Sequence, residues 1–395
     1  MNRISNASKF FPARTWKFLT SWEQQVLLHV HEFGGFYNAH AHLCRAGTLE
    51  PKYLEHIGTT PLEASSFPLA VKQNLVGDLH RGVAYMQEDL VLRMEREVER
   101  QIALGTTRLD TNIDATPDLP QEGLLAINVA LAVKAKYEDR IKIRIAPTPI
   151  FGFKERTGRW EVFQEAARTC DFLSGLPEKD DYSGRSERGG KVGFREAIRR
   201  VLELGCELGK EVQFHLDQAN NPFEAGTETL LEGLRWIGQP KLAGGGPSVW
   251  VVHMISPSAY DENRFRRMVD GLLEYNVGVI CSPSAATSMR QLRPIVAPTH
   301  NSIARVSELI KMKCPLRMGT DNICDVFVPQ SDGDMLTEVK IGSNAIRLAS
   351  PSIWAKLATG TQLNNVDIAS VGRALYEDRK AFNDVAPTGW RFALD

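Results

Sequence analysis

Short runs of β-branched residues alternate with segments of helical periodicity along most of this chain. Eight runs are candidate strands, at 36–42, 107–114, 141–150, 171–177, 211–217, 249–255, 277–283 and 315–321. Segments between them, such as "REAIRRVLELGCELGK", space apolar residues three and four positions apart, as amphipathic helices do. Eight strand–helix units in 395 residues predict a (β/α)8 TIM barrel. An open doubly wound sheet is the alternative, but no G-x-G-x-x-G sequence follows the first run.

The alternation also divides the chain. Residues 34–350 are predicted to form the barrel, with helical extensions at 1–33 and 351–395. Residues 48–86 are rich in proline and glycine and show little periodicity. A long loop at the C-terminal end of a barrel strand is usually functional, so we expect this segment to form a lid over the barrel mouth.

Composition excludes several classes of protein. The net charge of −1 and the pI near 6.8 give no electrostatic reason to expect a nucleic-acid or membrane partner. The six cysteines form no C-x-x-C pair, and no apolar run reaches the ~18–20 residues of a membrane span. The first residues lack the apolar core of a signal peptide, so we expect a cytoplasmic protein that acts on a small molecule.

Polar residues occur where the predicted strands end. His40 and His42 end the first strand, His215 the fifth, His253 the sixth and Asp321 the eighth. The C-terminal ends of barrel strands meet at one face, where active sites form. Residues i and i+2 share a face of a strand, so both imidazoles of "HAH" can approach one ion at ~2.0–2.1 Å. Each of these residues alone would be an ordinary core histidine or turn, but together they predict a metal site.

A second His-x-His pair, His29 and His31, lies in "SWEQQVLLHVHEFGG". This segment has the pattern of a capping box at Ser21 and Gln24, followed by an apolar run and the terminating Gly34. It is therefore predicted to be a short helix. Residues two apart on a helix point ~200° away from each other, so this pair is not expected to share an ion.

The chain resembles the amidohydrolase superfamily over residues 34–350, in "GGFYNAHAHL", "FHLD", "VVHMIS" and "GTDN". The longer stretch "GTDNICDVFVPQSDGDM" resembles the branch of cytosine deaminase and N-isopropylammelide amidohydrolase. This resemblance implies that His40, His42, His215 and Asp321 bind one divalent metal ion, with zinc expected and iron as the alternative. It also implies that Asp321 is the general base and His253 an acid/base or electrostatic group beside the metal-bound water.

A second metal would need a bridging lysine at the end of the fourth strand, where Lys179 is the candidate. One metal is the expectation. Many members of the superfamily also carry a β-sandwich built from both termini. The tail "NDVAPTGWRFALD" lacks such a strand, so little or no sandwich is expected.

Several positions depart from the cytosine deaminases. Gln218 replaces their proton-shuttling glutamate, and an amide neither gains nor loses a proton near neutral pH. Thr148 or Pro149 replaces the glutamine that reads cytosine, and Asn112 replaces a histidine near the end of the second strand. Cytosine is therefore not the expected substrate, and Gln218 is expected to contact a different one.

Other residues are expected at the substrate. Arg45 matches a lysine of the N-isopropylammelide branch, and its planar fork suits a carboxylate or a ring carbonyl. The alternative for Arg45 is a salt bridge to Asp110 or Asp114. Asn322 is expected to contact substrate, as is Asp114. Asp217 is expected either to contact the substrate or to hold a metal-bound histidine from behind.

These observations predict a metal-dependent amidohydrolase that hydrolyses a C–N bond in a small polar heterocycle or amide, with release of ammonia or an amine. One alternative is a true aminopyrimidine-type deaminase, in which Glu178 or Asp114 replaces the missing glutamate. A second alternative is a relative that binds metal or ligand without turnover. Helical extensions often form subunit contacts, so the sequence is compatible with a homo-oligomer.

Overall fold

The computed structural model describes residues 2–182, 189–288 and 303–390. The last five residues of the predicted C-terminal extension lie outside these ranges. Eight strands are found within them, one at each predicted run: β1 (Phe36–Ala41), β2 (Thr106–Asp114), β3 (Lys142–Thr148), β4 (Leu173–Gly175), β5 (Val212–Leu216), β6 (Val249–His253), β7 (Gly278–Cys281) and β8 (Leu316–Met318). They form two parallel sheets, β1-β2-β3 and β4-β5-β6-β7-β8.

The protein is therefore a mixed α/β fold with parallel sheets and many helices. The α-helices within the described ranges are α1 (Asn2–Phe10), α2 (Ser21–Glu32), α3 (Pro51–Leu54), α4 (Pro61–Ser65), α5 (Leu69–Arg81), α6 (Gln87–Ala103), α7 (Leu125–Lys136), α8 (Arg159–Thr169), α9 (Phe194–Leu208), α10 (Gly226–Ile237), α11 (Glu262–Glu274), α12 (Pro283–Ser288), α13 (Val306–Lys311), α14 (Met335–Ala345), α15 (Pro351–Thr359) and α16 (Asn365–Val385). Among these described helices, none combines the length and hydropathy that a bilayer crossing requires.

Backbone hydrogen bonds connect the two sheets at both ends. Before β4, the amides of Asp171 and Phe172 donate to the carbonyl oxygen of Ile145 in β3, at 2.8 and 3.3 Å. After β8, the amide of Asp321 donates to the carbonyl oxygen of His40 in β1, at 2.9 Å. These bonds bring the end of β1 and the segment that follows β8 together.

Most strand residues are buried, as expected for parallel sheets covered by helices. Every residue of β1, β5 and β6 is buried. Apolar side chains such as Phe36, Phe214 and Val251 account for much of this core. A polar side chain in such a strand is costly unless it has a partner, so the buried histidines in these strands require explanation.

The segment 48–86 is helical, whereas the sequence predicts a loop with little periodicity. It contains α3, α4 and α5. Pro51 and Pro61 are the first residues of their helices, and Pro68 immediately precedes α5. Proline fits the first turn of a helix because the missing N–H would have no partner there. The prolines that indicated a loop are therefore helix starts.

The N-terminal region confirms the predicted helix around the second His-x-His pair, with one correction. The capping box is formed by Thr20 and Glu23, not by Ser21 and Gln24. The Thr20 hydroxyl accepts from the Glu23 amide at 3.2 Å, and the Glu23 carboxylate accepts from the Thr20 amide at 2.7 Å. The predicted pattern was one residue out of register.

The C-terminal region consists of α15 and α16, and no strand occurs among residues 351–390, which the structure describes. Trp22 of α2 donates its indole N–H to the carbonyl oxygen of Ala349, just before α15, at 2.7 Å. Lys356 and Asp367 form an ion pair between α15 and α16 at 2.6 Å. The two terminal regions are in contact, since α2 packs against α15.

Candidate metal centre

The ends of β1, β5 and β6 and the segment after β8 bring the five predicted residues together. His40 lies within β1 and His42 one residue beyond it, while His215 lies in β5 and His253 ends β6. Asp321 is not the end of β8 as predicted. It lies three residues beyond Met318, in an isolated parallel bridge with Ala41 of β1.

The distances among these side chains are short. Asp321 Oδ1 lies 3.2 Å from His42 Nε2 and 3.5 Å from His40 Nε2. His215 Nε2 lies 3.1 Å from His40 Nε2, and His253 Nε2 lies 4.0 Å from Asp321 Oδ2. All five residues are at most 6% exposed. Their nitrogen and oxygen atoms are donors of the kind that zinc binds in proteins.

The outer nitrogens of two histidines show whether a metal fits. His215 Nδ1 lies 3.2 Å from the carbonyl oxygen of Gly175, which can only accept, so Nδ1 carries the proton. His40 Nδ1 lies 3.4 Å from Gln213 Oε1 and 2.8 Å from the Asn112 side-chain amide. The oxygen of that amide is buried and has no hydrogen-bond partner among the described residues. Turning the amide over lets this oxygen accept from His40 Nδ1.

With both Nδ1 atoms protonated, the lone pairs of His40 Nε2 and His215 Nε2 face each other across 3.1 Å. Two such lone pairs repel unless a cation lies between them. Two imidazole nitrogens at ~2.0–2.1 Å from one ion are separated by about 3 Å. The donor set therefore fits a divalent metal ion.

The electrostatics hold the side chains in the protonation states that a metal requires. Burial lowers the pKa of His42 to about 3 and that of His253 to about 4, and it holds the pKa of His215 well below its usual range. Burial alone would raise the pKa of Asp321, but contacts with His40 and His42 outweigh it and hold that pKa well below its usual range. Neutral imidazoles and an ionised carboxylate can bind a metal without losing protons.

The backbone is strained at two of these residues. His253 has a φ of 80° and Asp321 a φ of 60°, in the left-handed region that non-glycine residues rarely adopt. Strain of this kind costs of order 1–3 kcal/mol and occurs mainly at functional sites. Gly319 allows the segment after β8 to lie close to β1, since a Cβ at this position would lie 2.7 Å from the backbone nitrogen and oxygen of His40.

A cavity of ≈ 300 Å³ opens above these side chains. Its floor includes His42, His215, His253 and Asp321. One wall is formed by residues 65–69 and by Lys72 and Gln73 of α5, so the helical segment predicted as a lid borders the cavity. Other lining residues are Arg45, Thr148, Ile150, Leu176, Gln218, Ala219, Ile255, Ala285, Ser288, Asn322, Phe327 and Val328. The cavity is of a size for a small molecule.

Arg45 lines this cavity but is also bound by a carboxylate. Its Nη1 donates to Asp114 Oδ1 at 2.8 Å, which is one of the two salt bridges considered from the sequence. His80 of α5 lies 3.2 Å from the other oxygen of Asp114, to which Tyr85 donates at 2.6 Å. Burial raises the pKa of Asp114, but Arg45 and His80 outweigh it and hold that pKa well below its usual range.

Asp114 therefore lies behind Arg45, fully occupied by protein partners, and is not among the lining residues of the cavity. The sequence indicated the Arg45 alternative correctly but missed His80 and Tyr85. Both lie within residues 48–86, the segment interpreted as a loop, where no periodic pattern pointed inward.

Asp217 is placed differently from the expectation. Its Oδ1 accepts from the amide of Gly226 at 2.7 Å and its Oδ2 from the amide of Thr227 at 2.8 Å. These amides belong to the first turn of α10, whose N–H groups lack partners within the helix. Asp217 thus caps this helix, and it does not line the cavity described above.

Gln218 and Asn322 do line the cavity, as predicted for substrate contacts. The Gln218 amide donates to Glu178 Oε2 at 2.7 Å, and the Asn322 amide donates to Asp325 Oδ2 at 2.5 Å. Each amide is therefore oriented by a carboxylate behind it. Their contact with a substrate stays a prediction.

Lys179 and the second His-x-His pair are not among the residues that line this cavity. Lys179 Nζ donates to Gln73 Oε1 at 3.1 Å, so its described contact is with α5. His29 Nδ1 lies 3.2 Å from Glu32, and the His31 ring meets the edge of Phe10 at 5.1 Å. As expected for a helix, the two imidazoles have different surroundings.

The chain is similar to known proteins in its sequence and in its fold. No family model matches the chain. An uncharacterized protein of Haemophilus influenzae is 28% identical over 278 residues, which cover 70% of this chain and 91% of that protein.

Among solved structures, 5-methylcytosine deaminase from Klebsiella pneumoniae, liganded with 5-fluorocytosine, has a TM-score of 0.67 at 20% identity and covers 86% of this chain and 74% of its own. N-isopropylammelide isopropylaminohydrolase from Burkholderia multivorans has a TM-score of 0.60 at 16% identity, and the match covers 86% of this chain and 82% of that protein. Atrazine chlorohydrolase from Arthrobacter aurescens, complexed with zinc, has a TM-score of 0.52 at 12% identity, and the match covers 83% of this chain and 71% of that protein. The first two are the enzyme types that the sequence resembles, and at these identities the predicted resemblance is confirmed at the level of the fold.

Proposed function

We propose that this protein is a metal-dependent amidohydrolase that hydrolyses a C–N bond in a small polar heterocycle or amide, with release of an amine or ammonia. The observation that carries the proposal is the facing pair His40 Nε2 and His215 Nε2, 3.1 Å apart beside the Asp321 carboxylate, at the floor of a cavity. The structural neighbours include a deaminase and an aminohydrolase of nitrogen heterocycles, which is consistent with this chemistry.

We propose that His40, His42, His215 and Asp321 hold one ion, with zinc favoured over iron. The zinc complex of a structural neighbour supports this choice. When bound, such an ion supplies Lewis acidity that makes a water molecule nucleophilic near neutral pH.

The remaining steps fall to side chains of this chain. Asp321 is ionised and lies at the cavity floor, so it can accept a proton from the attacking water and deliver it to the leaving nitrogen. His253, on the same floor, stabilises the negative charge that develops on the substrate. Thr148 lines the cavity with a buried hydroxyl that has no partner among the described residues, and it suits a polar ring atom of the substrate.

We further propose that the two sheets close into a (β/α)8 barrel spanning 34–350, with helical extensions at 1–33 and 351–395. The hydrogen bonds from Asp171 to Ile145 and from Asp321 to His40 support closure at both sheet edges. A cytoplasmic location, a small-molecule substrate without nucleic-acid or membrane partners, and a homo-oligomeric state remain part of the proposal.

A second candidate is a true deaminase, in which Glu178 carries out the proton transfer of the missing glutamate. The contact from Gln218 to Glu178 at 2.7 Å favours it, because Gln218 lines the cavity and Glu178 lies directly behind. Burial raises the pKa of Glu178 well above its ordinary value, which favours the protonated form of this carboxyl. Asp114 is disfavoured in this role because Arg45, His80 and Tyr85 already bind it.

The test is quantified release of ammonia and of alkylamines by zinc-reconstituted protein from a panel of aminopyrimidines, N-alkylated aminotriazines and simple amides. We expect release from at least one compound, lowered about 10²–10⁴-fold in Asp321→Asn. Ammonia release that also depends on Glu178 would favour the deaminase. Metal-loaded protein that releases neither product from any compound would favour a non-catalytic binding protein.

A further inference from the structure

Lys72 is a buried cation at the cavity wall. It lies in α5, is 8% exposed and lines the cavity. Its ammonium donates to the main-chain oxygen of Phe327 at 3.3 Å. No carboxylate of the described residues lies within 4.0 Å of the Lys72 nitrogen, whereas most buried lysines are paired with one.

The other charges described around the cavity form no ion pair with Lys72, and the Asp321 carboxylate contacts His40 and His42 instead. Arg45 is paired with Asp114 at 2.8 Å, so this pair contributes little net charge. Asp325 attracts Lys72 from a distance, but its own oxygens accept from the Asn322 amide and from the backbone amides of Phe327 and Val328.

An ammonium in this position is less well solvated than in water, and burial lowers the pKa of Lys72 accordingly. Its hydrogen bond to one neutral carbonyl replaces only part of the lost hydration, because an ammonium has three donors. An anionic group entering the cavity would supply the missing charge and the missing acceptors. The cavity is then better matched to an anion than to a neutral molecule.

Lys72 and Arg45 also meet the same loop residue. The Arg45 guanidinium lies 5.3 Å from the centre of the Phe327 ring, and Lys72 donates to the carbonyl of that residue. Phe327 lies in the segment that follows Asp321, on the cavity wall. The two cations therefore flank one wall of the cavity, with the metal-binding side chains at its floor.

We propose that the substrate carries a carboxylate or equivalent anionic oxygen group, which pairs with the Lys72 ammonium while the scissile C–N bond lies at the cavity floor. This inference rests on the proposed function for the position of the C–N bond, but the anion site itself does not. It assigns the helical segment 48–86 a part in substrate selection.

The experiment measures binding to zinc-reconstituted protein by calorimetry, with three pairs of probes that differ in charge: orotate and orotamide, nicotinate and nicotinamide, benzoate and benzamide. The variants are Lys72→Met, which removes the charge and keeps the side-chain length, and Lys72→Arg, which keeps a cation. Lys52→Met, at an exposed lysine of α3, is the matched control.

We expect the unmodified protein to bind the carboxylate of at least one pair about tenfold more tightly than its amide. Lys72→Met should bring the two affinities to within about threefold, while Lys72→Arg and Lys52→Met keep the preference. The same preference in Lys72→Met, or no preference for any carboxylate in the unmodified protein, would overturn the proposal. Circular dichroism and zinc content establish that each variant is folded and loaded.

Release of ammonia or amines is measured in parallel, so that the two proposals can fail separately. Tighter binding of carboxylates that depends on Lys72, without any turnover, would refute the proposed function and support the anion site. Turnover in a protein whose carboxylate preference is absent, or is the same in Lys72→Met, would support the proposed function and refute the anion site.

Discussion

His40 and His215 present their Nε2 atoms to each other at 3.1 Å, although they belong to strands 175 residues apart in the chain. His215 Nδ1 faces the Gly175 carbonyl oxygen, and His40 Nδ1 faces Gln213 Oε1 and the Asn112 side-chain amide, whose oxygen accepts from His40 once that amide is turned over. Acceptors behind both rings fix the protons on the outer nitrogens and aim two lone pairs at one point. This pair is thus built to share a cation.

A His253 variant distinguishes a role in metal binding from a role in catalysis. Its Nε2 lies 4.0 Å from Asp321, beside the proposed ligands but outside the proposed set. We expect His253→Gln to keep its zinc and to lose about 10²–10⁴-fold in kcat, because charge stabilisation is removed while the ligands stay. Elemental analysis and turnover on the same sample measure both. A His253→Gln protein that loses its zinc would make His253 a ligand.

Gly319 sets the distance between the segment after β8 and the end of β1. A methyl group there would lie 2.7 Å from the backbone nitrogen and oxygen and from Cβ of His40, none of which can rotate away. We expect Gly319→Ala to lower the free energy of unfolding by about 1–3 kcal/mol and to weaken zinc binding. Gly372→Ala in α16 has open space around it and should be neutral or stabilising. Equal behaviour of the two variants would contradict this role of Gly319.

Glu338 predicts how stability depends on pH. Burial raises its pKa to about 8, against an ordinary value of 4.5, and its Oε2 accepts from the Ser284 amide at 2.8 Å. Between these values the unfolded chain ionises and the folded protein does not. The contribution of Glu338 is therefore present below pH 4.5 and is lost as the pH rises through about 8, by up to roughly 1.4 kcal/mol per pH unit.

Denaturant unfolding of Glu338→Gln at pH 5, 6.5 and 8 checks this. The variant keeps an acceptor for Ser284, so its stability should fall less between pH 5 and 8 than that of the unmodified protein. Glu88→Gln, on an exposed position of α6, should leave the pH dependence unchanged. Parallel pH profiles for the Glu338 variant and the unmodified protein would show that this carboxyl ionises normally.

The Arg45–Asp114 pair is expected to contribute to folding. Both side chains are buried, so Arg45→Met would leave the Asp114 charge with only His80 and Tyr85 as partners. We expect a loss of about 3–5 kcal/mol in the free energy of unfolding, and a smaller loss in the double variant Arg45→Met/Asp114→Asn. Thermal and denaturant unfolding measure it. Unchanged stability with a raised KM would instead make Arg45 chiefly a substrate anchor.

The strands could be predicted from the sequence because their apolar runs are short, β-branched and regularly separated by amphipathic helices. Every predicted run overlaps an observed strand. The helices at 51–81 could not be predicted from the sequence. Pro51, Pro61 and Pro68 are typical of loops unless the helix that follows each of them is already known. Strand periodicity likewise could not show that Asp321 lies beyond the end of β8.

The convergence of the four histidines and Asp321 was predictable, since parallel strands place their C-terminal ends together. The hydrogen-bond partners of individual side chains could not be predicted from the sequence. Asp217 follows His215 by two residues and looked like a site residue, but the first turn of α10 takes both of its oxygens. Lys72 carried no signal in the sequence, because its place in the cavity depends on the packing of α5.

The metal content of the purified protein tests the central claim most directly. After reconstitution with zinc and dialysis, elemental analysis should find about one ion per chain, since the site offers one set of ligands. His40→Ala and His42→Ala should each abolish this binding, whereas His29→Ala, in α2, should retain it. A protein that binds no divalent metal, or a His29→Ala variant that loses metal as His40→Ala does, would contradict the account.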